Sequence, residues 1–273
     1  MAFPPAREGL ASVIGVARGV IGMVHLAPLP GSPRWAGSID EVTRVAVSDA
    51  HALAEGGADA LLIENFRDVP FTAGRVDAAV VAAMAAVARR IGDAVPLPLG
   101  INVLRSDGRS ALAVAVAVGA RFIRVNVHVG ATLTDQGIIQ GDAHALLRER
   151  RLLGAEVRIL ADVRTKHAAP LAAITLEQEA RDCVDRGLAD GLIVSGAATG
   201  EPTAPGDLKR VRDVAPGLPL LVGSGASPES AAELLAVADG LIVGTAVKRD
   251  GVVGNPVDVE RVRRLVAAVR GAF

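Results

Sequence analysis

Residues 97–128 read LPLGINVLRSDGRSALAVAVAVGARFIRVNVH. At each end of this stretch side chains alternate with the period of a β-strand. Leu99, Ile101 and Val103 share one face, with Gly100 and Asn102 on the other. Ile123, Val125 and Val127 share one face, with Arg124, Asn126 and His128 on the other. Between them runs an Ala- and Val-rich segment ending at Gly119, a residue suited to stopping a helix. Strand, helix and strand in about thirty residues make a parallel βαβ unit. The apolar faces pack on helices, which leaves the polar faces for the interior of a closed sheet. Such polar rows converge at the catalytic mouth of a (β/α)₈ barrel.

The pattern repeats along the chain. Candidate strands are 19–26, 59–64, 97–103, 120–128, 157–163, 189–195, 218–223 and 238–244. Ser38 with Glu41, and Thr175 with Gln178, are capping boxes that open helices. Ser227–Pro228 and Asn255–Pro256 read as further helix starts, and Gly154 and Gly187 as helix stops. Eight βα units predict a TIM barrel over residues 19–273, preceded by an extension or capping segment at 1–18. An open doubly wound sheet would carry a Gly-rich fingerprint after its first strand. Here that strand ends in HLAPLPGSP, so the barrel is preferred.

Composition fits this reading and removes others. Hydrophobic residues are 51% of 273, yet aromatics are 2%, so the core is aliphatic. A net charge of −1 and no Tyr leave no nucleic-acid footprint. A single Cys excludes a disulfide framework. The longest apolar run, Ala111–Ala120, is well short of the roughly 18 residues of a membrane span. Without a signal-like N-terminus, a soluble cytoplasmic protein is expected.

Strand ends supply the candidate chemistry. His25 closes the first strand, Glu64 and Asn65 the second, Asn102 the third, Asn126 and His128 the fourth, Asp162 the fifth and Ser195 the sixth. Deeper in the barrel, Arg124 and Arg158 read as ion-pair partners of carboxylates. In the following loop, DVRTKHAAPL, Lys166 and His167 stand over the mouth. Lys166 can form a Schiff base or neutralise an oxyanion. Glu64 and Asp162 are an acid–base pair across the mouth. His25, Glu64, His128 and Asp162 are an alternative divalent-metal set, although their spacing is not compact. Gly223, Ser224 and Gly225 after the seventh strand, and Gly244 and Thr245 after the eighth, sit where barrels often hold a phosphate. Long loops at 129–141 and 196–206, with Thr199 and Glu201, are candidate lids or substrate contacts.

Several of these segments resemble the BtpA family. They are GMVHLAPLPGSP at 22–33, GGADALLIENFRDVPF at 56–71, PLGINVLRSDGRSALAVAVAVGARFIRVNV at 98–127 and DVRTKHAAPL at 162–171. ADGLIVSGAATGEPT at 189–203, VGSGASPES at 222–230 and ADGLIVGTAVKRDG at 238–251 complete the likeness. The resemblance implies a TIM barrel of the ribulose-phosphate-binding group. For cyanobacterial members it also implies an association with photosystem I biogenesis.

Three functions follow as expectations. In the first, the chain is an enzyme on a phosphorylated sugar-like or ribosyl molecule, with lyase, isomerase, glycosyl-transfer and hydrolytic outcomes all open. Glu64, Asp162, Lys166, His167 and His25 would be catalytic. Asn65, Asn102, Asn126, His128 and Ser195 would read hydroxyl groups, and no cofactor is called for. In the second, the chain assists assembly of a membrane complex. In the third, it is a regulator that binds a phosphorylated ligand without turnover. A homo-oligomer is compatible with all three.

Overall fold

The computed structural model describes residues 9–196 and 201–272. Eight parallel strands close into a barrel: Gly19–His25, Ala60–Glu64, Leu99–Asn102, Phe122–Val125, Arg158–Val163, Gly191–Val194, Leu220–Val222 and Gly240–Val243. Each lies inside or nearly inside its expected span. The first strand pairs with both the second and the eighth, which closes the ring. Register aligns His25 with Glu64, and Glu64 with Asn102, at the C-terminal ends. Three polar side chains are thereby brought to one level of the mouth.

The alternation read from the sequence sorts the core into two layers. Leu99, Ile101, Ile123, Val125, Ile159 and Ala161 pack between barrel and helices. Phe122, Leu160, Ile193, Leu221 and Ile242 fill the barrel itself. Phe122, fully buried, lies where a Cβ on Gly100 would be, so the third strand passes close over its ring. A Gly100→Ala change should cost about 1–3 kcal/mol by overpacking, visible as a lower urea midpoint with an unchanged m-value. The N-terminal end of the barrel is covered by a single helical turn, Ala11–Ile14, which stops at Gly15 with φ +88°. Leu10, Val13 and Ile14 pack with the inner layer, beneath Gly240 at the start of the eighth strand.

Arg158 departs from its expected place. As the first residue of its strand it stands at the N-terminal edge of the barrel with a 45% exposed side chain, and there it forms the expected pair with a carboxylate, Asp190, at 3.8 Å. Arg124, by contrast, is inside, paired with Asp162.

Helix signals are partly realised. Ser38 caps Ile39–Glu55 by accepting from the Glu41 N–H, and Thr175 caps Leu176–Arg181 by accepting from Gln178. Gly119 and Gly154 adopt left-handed φ values of +73° and +60°, whereas Gly187 ends its segment in a right-handed conformation. Two starts are displaced. Ser227 and Ser230 bond each other in a turn, so the helix begins at Ala231. Beyond Asn255–Pro256, Val257 bridges back to Lys248 in extended conformation, and Asp258 caps the helix Val259–Arg270.

The expected loop at 129–141 contains a hairpin, Ala131–Thr134 with Gly137–Gln140, joined by Ala168–Pro170 into a small antiparallel sheet. Of the second long loop, Thr199 lies outside the described residues. No helix among the described residues is long and apolar enough to cross a membrane.

Candidate active site

A cavity of about 770 Å³ opens at the C-terminal mouth. It gathers His25, Glu64, Asn126, Asp162, Lys166 and His167, together with Gly223, Ser224, Gly225, Gly244 and Thr245. Asn65, Asn102, His128 and Ser195 are buried or half-buried behind its wall instead. The reason is local. His128 lies beyond Val125, the last ladder residue of its strand, where the alternation no longer holds. Its Nε2 is 2.7 Å from the Gly187 carbonyl oxygen, and burial pulls its pKa down. Asn65 fixes the loop after the third strand by accepting from the Leu104 N–H at 2.7 Å. Ser195 packs under Gly223, its hydroxyl without a hydrogen bond. The four-residue metal set is therefore not gathered, and no cluster of three or more metal-ligating side chains occurs among the described residues.

The floor is a buried polar chain. Arg124 donates to both Asp162 oxygens, at 2.9 and 3.0 Å. Asn126 donates to Asp162 at 2.8 Å, and its own oxygen accepts from Asn102 at 3.0 Å. Asp162, the expected acid–base residue, thus has its oxygens engaged by three donors. Asn102, expected to read substrate, holds Asn126 instead.

Above the floor sit three groups with displaced acidities. His25 Nε2 is 3.7 Å from Glu64 Oε2, too far for a hydrogen bond. Burial lowers the His25 pKa to about 3, with Lys248 adding to the effect, so the imidazole is neutral and the contact is no ion pair. Its Nδ1 is buried without a partner, and its ring lies against Phe66 at 4.5 Å. Burial pushes the Glu64 carboxyl up, against the pull of Arg124 and Lys166. Burial and then Arg124 bring Lys166 down to about 8, while its Nζ donates to the Gly223 carbonyl at 3.1 Å.

The depressed His25 value has a measurable consequence. Its stabilising contribution is complete above the unfolded value of 6.5 and is lost as the pH falls towards about 3. Within that window His25 should add a slope of about 1.4 kcal/mol per pH unit. His25→Asn should flatten acid unfolding there, which urea titrations at stepped pH would detect.

The loops after the seventh and eighth strands form the wall beside His25 and Lys166. Gly225 has φ +70°, and a Cβ there would collide with the Glu201 carbonyl, so only glycine fits. Among the described residues no hydrogen bond takes up the amide N–H of Gly225, Ala226, Thr245 or Ala246. The helix that follows the seventh strand is only Ala231–Leu235, so the expected long helix terminus is not formed there and these loop amides stand ahead of a turn. Ser224 is spoken for: its hydroxyl accepts from the Gly196 N–H at 3.1 Å. Gly244 lets the His25 ring approach, since a Cβ would meet Cε1 at 2.8 Å.

Sequence reading missed Arg34, Arg67, Arg105 and Phe66, all of which line the cavity. A signal existed for two of them. Arg67 and Arg105 each follow by three residues the last residue of a barrel strand, Glu64 and Asn102. With Arg124 and Lys166 they give the cavity more cations than carboxylates.

A family model described as the BtpA family matches residues 16–271. The chain belongs to the BtpA family. The photosystem I biogenesis protein BtpA of Synechocystis is 49% identical over 250 residues, 92% of this chain and 87% of the relative. An uncharacterized protein of Thermococcus kodakarensis is 50% identical over 247 residues, 90% of this chain and 93% of the relative. Among solved structures, a phosphoribosyl anthranilate isomerase from Thermus thermophilus matches with a TM-score of 0.54 at 15% identity, covering 93% of this chain and all (100%) of the other. An N-acetylmannosamine-6-phosphate 2-epimerase from Clostridium perfringens matches with a TM-score of 0.52 at 14% identity, covering 92% of this chain and 95% of the other. At these identities the structures share the fold.

Proposed function

We propose that this BtpA-family barrel is an enzyme that moves protons on a small phosphorylated, sugar-like substrate. One observation carries the reading. Unclaimed amides of two glycine-containing loops share a cation-rich cavity with Glu64, a carboxyl whose affinity for protons is raised by burial. Loop amides of this kind cradle phosphate in barrels. The isomerase and epimerase of similar fold are named for phosphorylated compounds, which fits the same class.

The roles follow from the geometry. Gly225, Ala226, Thr245 and Ala246 bind the phosphate through backbone N–H groups. Glu64 takes the proton. Lys166, with a pKa near 8, holds the developing negative charge or supplies the returning proton. Neutral His25 offers a hydrogen bond beside Glu64, and His167 closes the mouth. Asp162, Arg124, Asn126 and Asn102 keep the floor rigid and polar.

Thermal denaturation with a panel of sugar phosphates and their unphosphorylated parents tests this. A ligand at about 100 times its Kd stabilises by about 2.7 kcal/mol. Sugar phosphates should raise Tm and the parent sugars should not. Equal shifts from both sets would remove the phosphate reading.

A second reading has one observation in its favour. Leu133 and Ile138 are partners in the small antiparallel sheet and are 51% and 54% exposed. Leu171 next to it is 52% exposed. An assembly role, one way to serve the photosystem I biogenesis for which the Synechocystis relative is named, would use such a surface. A protein acting through it alone would tolerate loss of Glu64.

A further inference from the structure

Arg105 is a cavity cation for which the proposed proton transfer has no use. It is 8% exposed, and its Nη2 donates to the Lys166 carbonyl. Its Nε is buried with no hydrogen-bond partner. It forms no ion pair among the described residues, whereas Arg124 is taken by Asp162 and Lys166 Nζ by the Gly223 carbonyl. A buried donor left without an acceptor is costly, so a ligand atom that accepts from it is rewarded. The Nε and Nη groups of a guanidinium present a planar fork that matches a carboxylate or a phosphate.

The topology says where on the ligand that group must be. In the ring of eight strands, the third stands directly opposite the seventh. Arg105 follows the third strand, and the Gly225–Ala226 amides follow the seventh. Both line one cavity and start from opposed strands. The Arg105 guanidinium reaches in to the Lys166 carbonyl, after the fifth strand, and Arg67, after the second, reaches the Gly254 carbonyl, after the eighth.

We propose that the substrate is anionic at both ends: a phosphate on the loop amides and a second carboxylate or phosphate group on the Arg105 fork. This rests on the phosphate reading above, and the test separates the two. The intact protein is titrated calorimetrically with ribulose 5-phosphate, ribulose 1,5-bisphosphate and 4-phosphoerythronate. At least one doubly anionic probe should bind about tenfold tighter than the monophosphate, the size expected of a charge-assisted bidentate contact. Preference for the bisphosphate identifies the second group as phosphate, and preference for the phosphocarboxylate identifies a carboxylate. Arg105→Gln should erase the preference, so that monophosphate and doubly anionic probes bind equally, and Arg105→Lys should keep part of it. Monophosphate binding without preference in the wild-type protein would overturn this inference alone, as would a preference that survives Arg105→Gln. Failure of all three probes to bind would overturn the phosphate reading beneath it.

Discussion

Asp162→Asn should destabilise the protein by about 3–5 kcal/mol, measured by urea denaturation at neutral pH. The side chains of Arg124 and Asp162 are 5% and 1% exposed, so neither charge is solvated by water. The substitution is nearly isosteric, so no cavity is opened, and the loss comes from a guanidinium left buried without its counter-charge. The double variant Arg124→Met with Asp162→Asn should recover most of the stability, because removing both charges removes the desolvation cost with them. The double-mutant cycle should therefore show strong coupling. Activity should stay lost in both variants. A chemical effect follows in the single variant. Arg124 lowers and Asp162 raises the proton affinity of Glu64, so losing Asp162 should let Glu64 ionise at lower pH. A cost below about 1 kcal/mol, typical of an exposed pair, would mean the floor is wetter than its burial indicates.

Glu64→Gln should leave the fold intact and lower turnover by about 10²–10⁴-fold, the usual contribution of a positioned general acid or base. Stability should move in the opposite sense to activity. The folded pKa of Glu64 lies above its ordinary value of 4.5 because burial disfavours the carboxylate. Its favourable contribution is therefore complete below 4.5 and is lost as pH rises through the folded value. Glutamine has no proton to lose, so the variant should match the wild type in acid and equal or exceed it near neutrality. Urea midpoints across that range, beside turnover of the substrate found in the panel, check both halves. Retained turnover in Glu64→Gln would show that a group other than Glu64 carries the proton.

Most of the barrel was legible because its two layers obey one rule, side-chain alternation along strands. Ile101 against Asn102, and Ile123 against Arg124, already stated which side faced the helices. The rule failed where strands end. His128 and Asn65 continue the lettering of their strands, yet the backbone has left the ladder, and both turn to hold neighbouring loops. At the other end Arg158 does pair with a carboxylate, Asp190, but as the first residue of its strand it meets solvent instead of the barrel interior. The hairpin after the fourth strand was hidden by its turn, Asp135–Gln136 before Gly137, inside a stretch read as one long loop. Arg105 was hidden for a different reason. An arginine in a polar loop carries no periodic signal, and only the closure of the ring puts it in one cavity with Gly225.

A crystal structure of the protein grown with inorganic phosphate tests the central claim most directly. The expected result is an anion within about 3 Å of the backbone nitrogens of Gly225, Ala226, Thr245 or Ala246, inside the mouth. An empty mouth, or phosphate bound only on another face of the barrel, would contradict the assignment of this cavity to a phosphorylated ligand.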